Sequence, residues 1–127
     1  MVSIDKEKMN KRKEEIKERK HKDKVWKEAV KMRDECMCNI CGATKYVQAH
    51  HIIPKEVKEF RWKLINGISL CAKHHKYSFE ISAHRNSFAF ILWLMKNRSI
   101  IFTELKGGIE QNGLVSQEQQ LLSHFQS

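Results

Sequence analysis

Cys38-Asn-Ile-Cys41-Gly42 and, thirty residues further on, Cys71-Ala-Lys-His74 decide how this chain folds. Two thiolates three positions apart on a tight turn reach one tetrahedral ion, and the following Gly lets the backbone turn toward the sulfurs. A second pair with the same internal spacing completes a Cys3His set. The pattern therefore predicts a structural zinc held by Cys38, Cys41, Cys71 and His74, closed to water because all four positions are filled by protein. The competing readings of these cysteines are buried free thiols or a redox C-x-x-C. Cys36 has no partner at a useful spacing.

The rest of the composition suits a small zinc-stabilised domain. A chain of 127 residues with 41% hydrophobic content makes one modest core, and a metal supplies stability that such a core lacks. The balance of 24 Lys+Arg against 15 Asp+Glu gives a net charge of +9, which makes a polyanion the default partner, nucleic acid before an anionic membrane. No run approaches 18 apolar residues and the N-terminus lacks an apolar signal region, so the reading is a cytoplasmic protein with no membrane span. In that reducing setting metal binding is favoured over disulfides.

Between the two pairs lies a second constellation. His50 and His51 are adjacent, so on an extended segment their rings face opposite ways and serve different tasks. His75 follows the last zinc ligand and points away from it. Asn66-Gly67 is a turn signal just ahead of a short apolar run, Ile68–Leu70. This run and Tyr46–Ala49 read as strands, Lys55–Leu64 as a helical turn or short helix after Pro54, and about Ala72 to Glu80 as a helix.

Cys38-x-x-Cys41, Val47-Gln-Ala-His50-His51-Ile-Ile-Pro54 and Asn66-Gly-Ile-Ser-Leu-Cys71-x-x-His74-His75 together resemble the HNH nuclease motif. The resemblance covers about residues 36–80 and extends to small phage-type members through Ser82–Phe90. It implies an α+β ββα-metal fold, two short antiparallel strands and a helix clasping a catalytic divalent ion such as Mg2+, Mn2+ or Ni2+, with DNA as substrate. By the same resemblance His50 and His75 are metal ligands, His51 is the general base, and Asn66 is a catalytic-site residue that positions base or metal. A phage terminase is an implied partner. Colicin-type members carry a further His one helical turn after the last one. That position is Phe79 here, which leaves Asn66, Glu80 or His84 to complete the ligand set. A non-catalytic zinc-binding, DNA-binding or adaptor module, the alternative, would not need His50, His51, Asn66 and His75.

The flanks complete the picture. Residues 1–35 hold thirteen Lys/Arg and nine Asp/Glu and read as a basic helical arm over about 5–34, apolar only from Val25 onward. Glu14–Lys17 and Glu18–Lys22 are spaced to pair along it. Such pairing and a DNA-contacting face are equally compatible with the composition. Lys55, Arg61, Lys73, Lys76 and Arg85 are candidate DNA-backbone contacts. Phe88–Met95, apolar all round, predicts a helix buried on most sides. Ile100–Leu105 fits either strand or helix. Lys106-Gly107-Gly108 reads as a break that closes a nuclease domain at 36–105, and 106–127 as a tail with a short helix carrying Leu121, Leu122 and Phe125. Monomer and dimer are both compatible with the sequence.

Overall fold

The computed structural model describes residues 2–112. A 32-residue helix α1 (Val2–Arg33) leads into the zinc-type knuckle. Strands β1 (Val47–His51) and β2 (Gly67–Cys71) follow, then a single π-helical turn (Lys73–Tyr77) and helices α2 (Ser87–Asn97) and α3 (Ser99–Gln111). The strands form an antiparallel pair in which Val47 faces Cys71, His50 faces Ile68 and His51 faces Gly67. The architecture is α+β, a two-stranded sheet among helices.

The hairpin is packed on both faces. Ile68, Leu70, Phe90 and Leu94 form the main core, and Ile53, Phe60 and Leu105 a second cluster beneath the loop that joins the strands. On the other side α1 lays Trp26 and Val30 on the hairpin. Gly67 makes this possible, because a Cβ there would collide with the side chains of both. Asp34, just past α1, accepts from the Ser69 amide (2.9 Å) and from Asn39 Nδ2 (3.1 Å), joining helix, knuckle and β2. The N-terminal half of α1 projects, exposed from Asp5 to Lys22.

Several expectations need correction. Residues 54–63 form successive turns, the helical-turn alternative and not the short helix, followed by a 3-10 turn at Leu64–Asn66. The helix expected to reach Glu80 is one turn that stops at Ser78, whose amide bonds the Lys73 carbonyl (2.8 Å). Helix α2 buries only Phe90 and Leu94 fully, while Phe88, Leu92 and Met95 are exposed. No break occurs at Lys106-Gly107-Gly108: α3 runs through both glycines, so the boundary expected after residue 105 falls inside it. A Cβ on Gly108 would meet the Phe60 ring at 2.7 Å, so close helix–loop packing explains a glycine there. The expected helix around Leu121, Leu122 and Phe125 lies outside the described residues.

Candidate metal centre and nuclease site

The knuckle is built by the backbone. Gly42 adopts φ +76, its amide bonds the Cys38 carbonyl (2.8 Å), and the Cys38 amide bonds Ala43 O (2.9 Å). Cys38, Cys41, Cys71 and His74 converge, with ligand atoms all within 4.8 Å of one another. Cys41 Sγ lies 3.7 Å from Cys71 Sγ, and His74 Nδ1 lies 3.4 Å from Cys71 Sγ and 3.7 Å from Cys38 Sγ. Sulfurs 3.7 Å apart are not a disulfide. They sit as two corners of a tetrahedron with Zn–S bonds of about 2.3 Å would, roughly 3.8 Å apart. Burial raises the Cys38 thiol pKa, and hydrogen bonds from the Cys71, Cys41 and Ile40 backbone outweigh it and bring it below the ordinary cysteine value. Burial pushes the Cys71 thiol up. This donor set fits a zinc ion.

Neighbouring residues of β1 send their rings to opposite faces. His50 turns toward His75, His84 and the edge of Phe90. His75 Nδ1 stands 2.9 Å from Gln48 Oε1 and donates to it. Its Nε2 is thereby left with a lone pair, 3.1 Å from both His50 Nδ1 and His84 Nε2. Burial, then His75, His84 and His51, push His50 down to about 3. Burial, then His84 and Lys76, push His75 to about 4. Both rings are neutral at pH 7. Nitrogens roughly 3 Å apart match a shared ion bound at about 2.0–2.1 Å, so this trio also fits a divalent cation.

His84 reaches the trio because the chain turns back after the π-helical turn. Ser82 Oγ donates to Ser78 O (2.8 Å), and the Ala83 and His84 amides bond the His74 and His75 carbonyls (2.9 Å each). Of the three candidates for the missing ligand, His84 is the one placed there. Glu80 is exposed and outside the cluster. Asn66 is fully buried; its Oδ1 accepts from the Ile53 amide (2.7 Å), and its Nδ2 donates to the carbonyls of Ile53 (3.0 Å) and Phe60 (3.1 Å). With its amide so engaged, Asn66 fixes the inter-strand loop and does not touch the metal cluster.

His51 faces α1. Its ring stacks on Trp26, centroids 3.8 Å apart and planes 7° from parallel. Its Nε2 lies 2.9 Å from Arg61 O. A carbonyl only accepts, so Nε2 carries the proton and Nδ1 of the neutral ring keeps its lone pair. Burial lowers the His51 pKa, against the opposing hydrogen bond to Arg61 O. The carbonyl is itself held: Arg61 Nε and Nη2 donate to Asp23 of α1 (2.9 and 2.7 Å), and Trp62 Nε1 donates to the same carboxylate (2.8 Å). The Arg61 hydrogen bond draws Asp23 down to about 2. Arg61, expected on DNA, thus spends its guanidinium on Asp23.

His50, His51, His75 and His84 open onto one cleft of about 690 Å³, also lined by Lys27, Lys55 and Lys76. Lys73 and Arg85 are exposed but not in its wall, and Arg85 lies over the Phe79 ring at 3.6 Å. Asp23, Trp26 and Lys27 escaped notice in the sequence, since nothing local marks three residues of a charged helix as walls of a site some 25 positions away.

Residues 38–78 match the family model described as HNH endonuclease. No curated protein and no solved structure matches the chain significantly. The matched segment holds both zinc-type pairs, the His50-His51 pair, Asn66 and His75, and over these residues the chain is similar to the HNH endonuclease family.

Proposed function

We propose that the protein is a metal-dependent endonuclease that hydrolyses DNA phosphodiester bonds, with His51 as general base. The observation that carries the reading is the pairing, within one cleft, of a lone-pair nitrogen on His51 with the cluster of His50, His75 and His84. Trp26 and Arg61 O hold the imidazole in one tautomer, and Nδ1 takes a proton from a water that attacks phosphorus. His50, His75 and His84 would hold a divalent ion, which would supply charge neutralisation at the phosphate and the leaving oxygen. Lys27, Lys55 and Lys76 attract and orient the backbone. The Cys3His cluster, holding zinc, is structural, and it fixes the turn that bears His75. A single site cleaves one strand per encounter, which makes the product a nick. Phage origin and a terminase partner belong to this proposal on the resemblance alone.

The test is supercoiled-plasmid nicking with Mg2+, Mn2+, Ni2+ or EDTA. Open-circle product with a divalent ion and none with EDTA is expected. Intact plasmid under every metal would overturn the reading.

A further inference from the structure

Helix α1 carries Lys13, Lys17, Lys20, Lys24, Lys27 and Lys31 at steps of 4, 3, 4, 3 and 4. At 3.6 residues per turn these six fall within about 80° of arc, one stripe roughly 27 Å long. Glu14, Glu15 and Glu18 lie on the opposite side. Five of the six lysines are exposed and Lys31 is half-buried. Among the described residues none of the six lies within 4.0 Å of a carboxylate, and the pairs expected at Glu14–Lys17 and Glu18–Lys22 are not formed. Lys20, Lys24, Lys27 and Lys31, with one exposed carboxylate, Glu28, line a shallow groove along the helix, and Lys27 also walls the histidine cleft. Asp23, which borders this groove, is taken by Arg61.

We infer that this stripe is a rail for the phosphate backbone of a DNA duplex, delivering the strand to the cleft at Lys27. The inference rests on the reading of that cleft as a DNA-cleaving site. Charge complementarity argues for it: six unpaired ammonium groups in a line cost repulsion that a polyanion relieves. Geometry argues for a duplex, because a straight rigid row suits a stiff, regularly charged rod and spans the axial length of about eight base pairs at 3.4 Å each. It also explains why so polar a helix extends more than six turns ahead of Trp26, the first buried side chain among its described residues.

The experiment compares two full-length triple variants that lose the same charge. One is Lys13→Gln/Lys17→Gln/Lys20→Gln on the stripe. The other is Lys11→Gln/Arg12→Gln/Arg19→Gln, interleaved with it but on another face. Both retain helix propensity, and circular dichroism checks the helix. Binding of a 30-base-pair duplex is read by fluorescence anisotropy against salt in a His51→Ala background, and nicking in the otherwise unaltered protein. The stripe variant should bind at least about tenfold more weakly at 0.1 M salt. Its log–log slope should be shallower by roughly 2.7, about 0.9 for each phosphate given up. The off-stripe variant should lose less than half as much. Equal losses, or no loss on the stripe, overturn the rail. So does a stripe effect seen on phosphatidylglycerol vesicles and not on duplex. Stripe-dependent duplex binding without nicking by the unaltered protein would sustain the rail and sink the endonuclease reading instead.

Discussion

Nδ1 of His51 is free because its neighbours fix everything else about the ring: Trp26 sets the plane, Arg61 O holds Nε2–H, and Asp23 holds Arg61. Asp23→Asn should lower the nicking rate at saturating DNA while leaving half-saturation little changed, because the base loses its orientation and not its contact with DNA. The ion pair is partly buried, its side chains only 14% and 22% exposed, so it contributes more than the roughly 0–1 kcal/mol of an exposed pair. Its pH dependence has a definite sign. The folded carboxyl titrates at about 2 against an ordinary 3.8, so the stabilisation is complete above the unfolded value and is lost as pH falls through about 2. Melting curves of the parent and Asp23→Asn should differ most above about pH 4 and converge only below about pH 2; a gap of constant size would contradict the assignment. His84 is the other residue whose role the geometry defines. His84→Ala should raise the metal concentration for half-maximal nicking by about tenfold or more, at least the cost of losing a supporting group. An unchanged metal titration would remove His84 from the ligand set.

At the scale of elements, Gly67 is the point where α1 and the hairpin meet. Gly67→Ala should cost about 1–3 kcal/mol of stability by overpacking against Trp26 and Val30, read as a lower denaturation midpoint. A midpoint matching the parent would mean that the helix is not seated there. The hairpin was legible in the sequence because its residues alternate or run apolar between turn signals, and because two metal-spaced pairs pin its ends. The opposite faces of His50 and His51 followed from strand geometry alone. What misled was local propensity against tertiary packing. Gly107 and Gly108 each cost a helix about 1 kcal/mol, yet α3 continues, because Gly108 lets it lie against Phe60. Phe88–Met95 looked buried all round, yet only its Phe90–Leu94 edge enters the core. The turn at Lys73–Tyr77 ends early because the chain folds back through Ser82, and the Ala83 and His84 amides bond the His74 and His75 carbonyls, contacts that no periodicity encodes.

Across the whole molecule, a hairpin domain holds both the Cys3His and the three-histidine clusters, and a long basic helix extends from it. On the proposed reading the two functions separate in the chain: residues up to about 20 touch no metal cluster, and the side chains that seat α1 begin at Lys22, over the Trp62 ring, and Asp23. Removing residues 1–20 should therefore leave a cooperative melt and full zinc content, while weakening duplex binding. Loss of the cooperative transition would show that the arm belongs to the core. The central claim is the division of labour between the two faces of β1, proton transfer by His51 and ion holding by His50, His75 and His84. Single-turnover nicking by His51→Ala and His75→Ala, measured against metal concentration and pH, tests it most directly. His51→Ala should cut about 10² to 10⁴ times more slowly, keep the parent's metal dependence and recover partly at high pH, where hydroxide needs no base. His75→Ala should need more metal for any given rate, and both should retain zinc. A His51→Ala protein that cuts at the parent's rate, or two variants with the same metal dependence, would contradict the account.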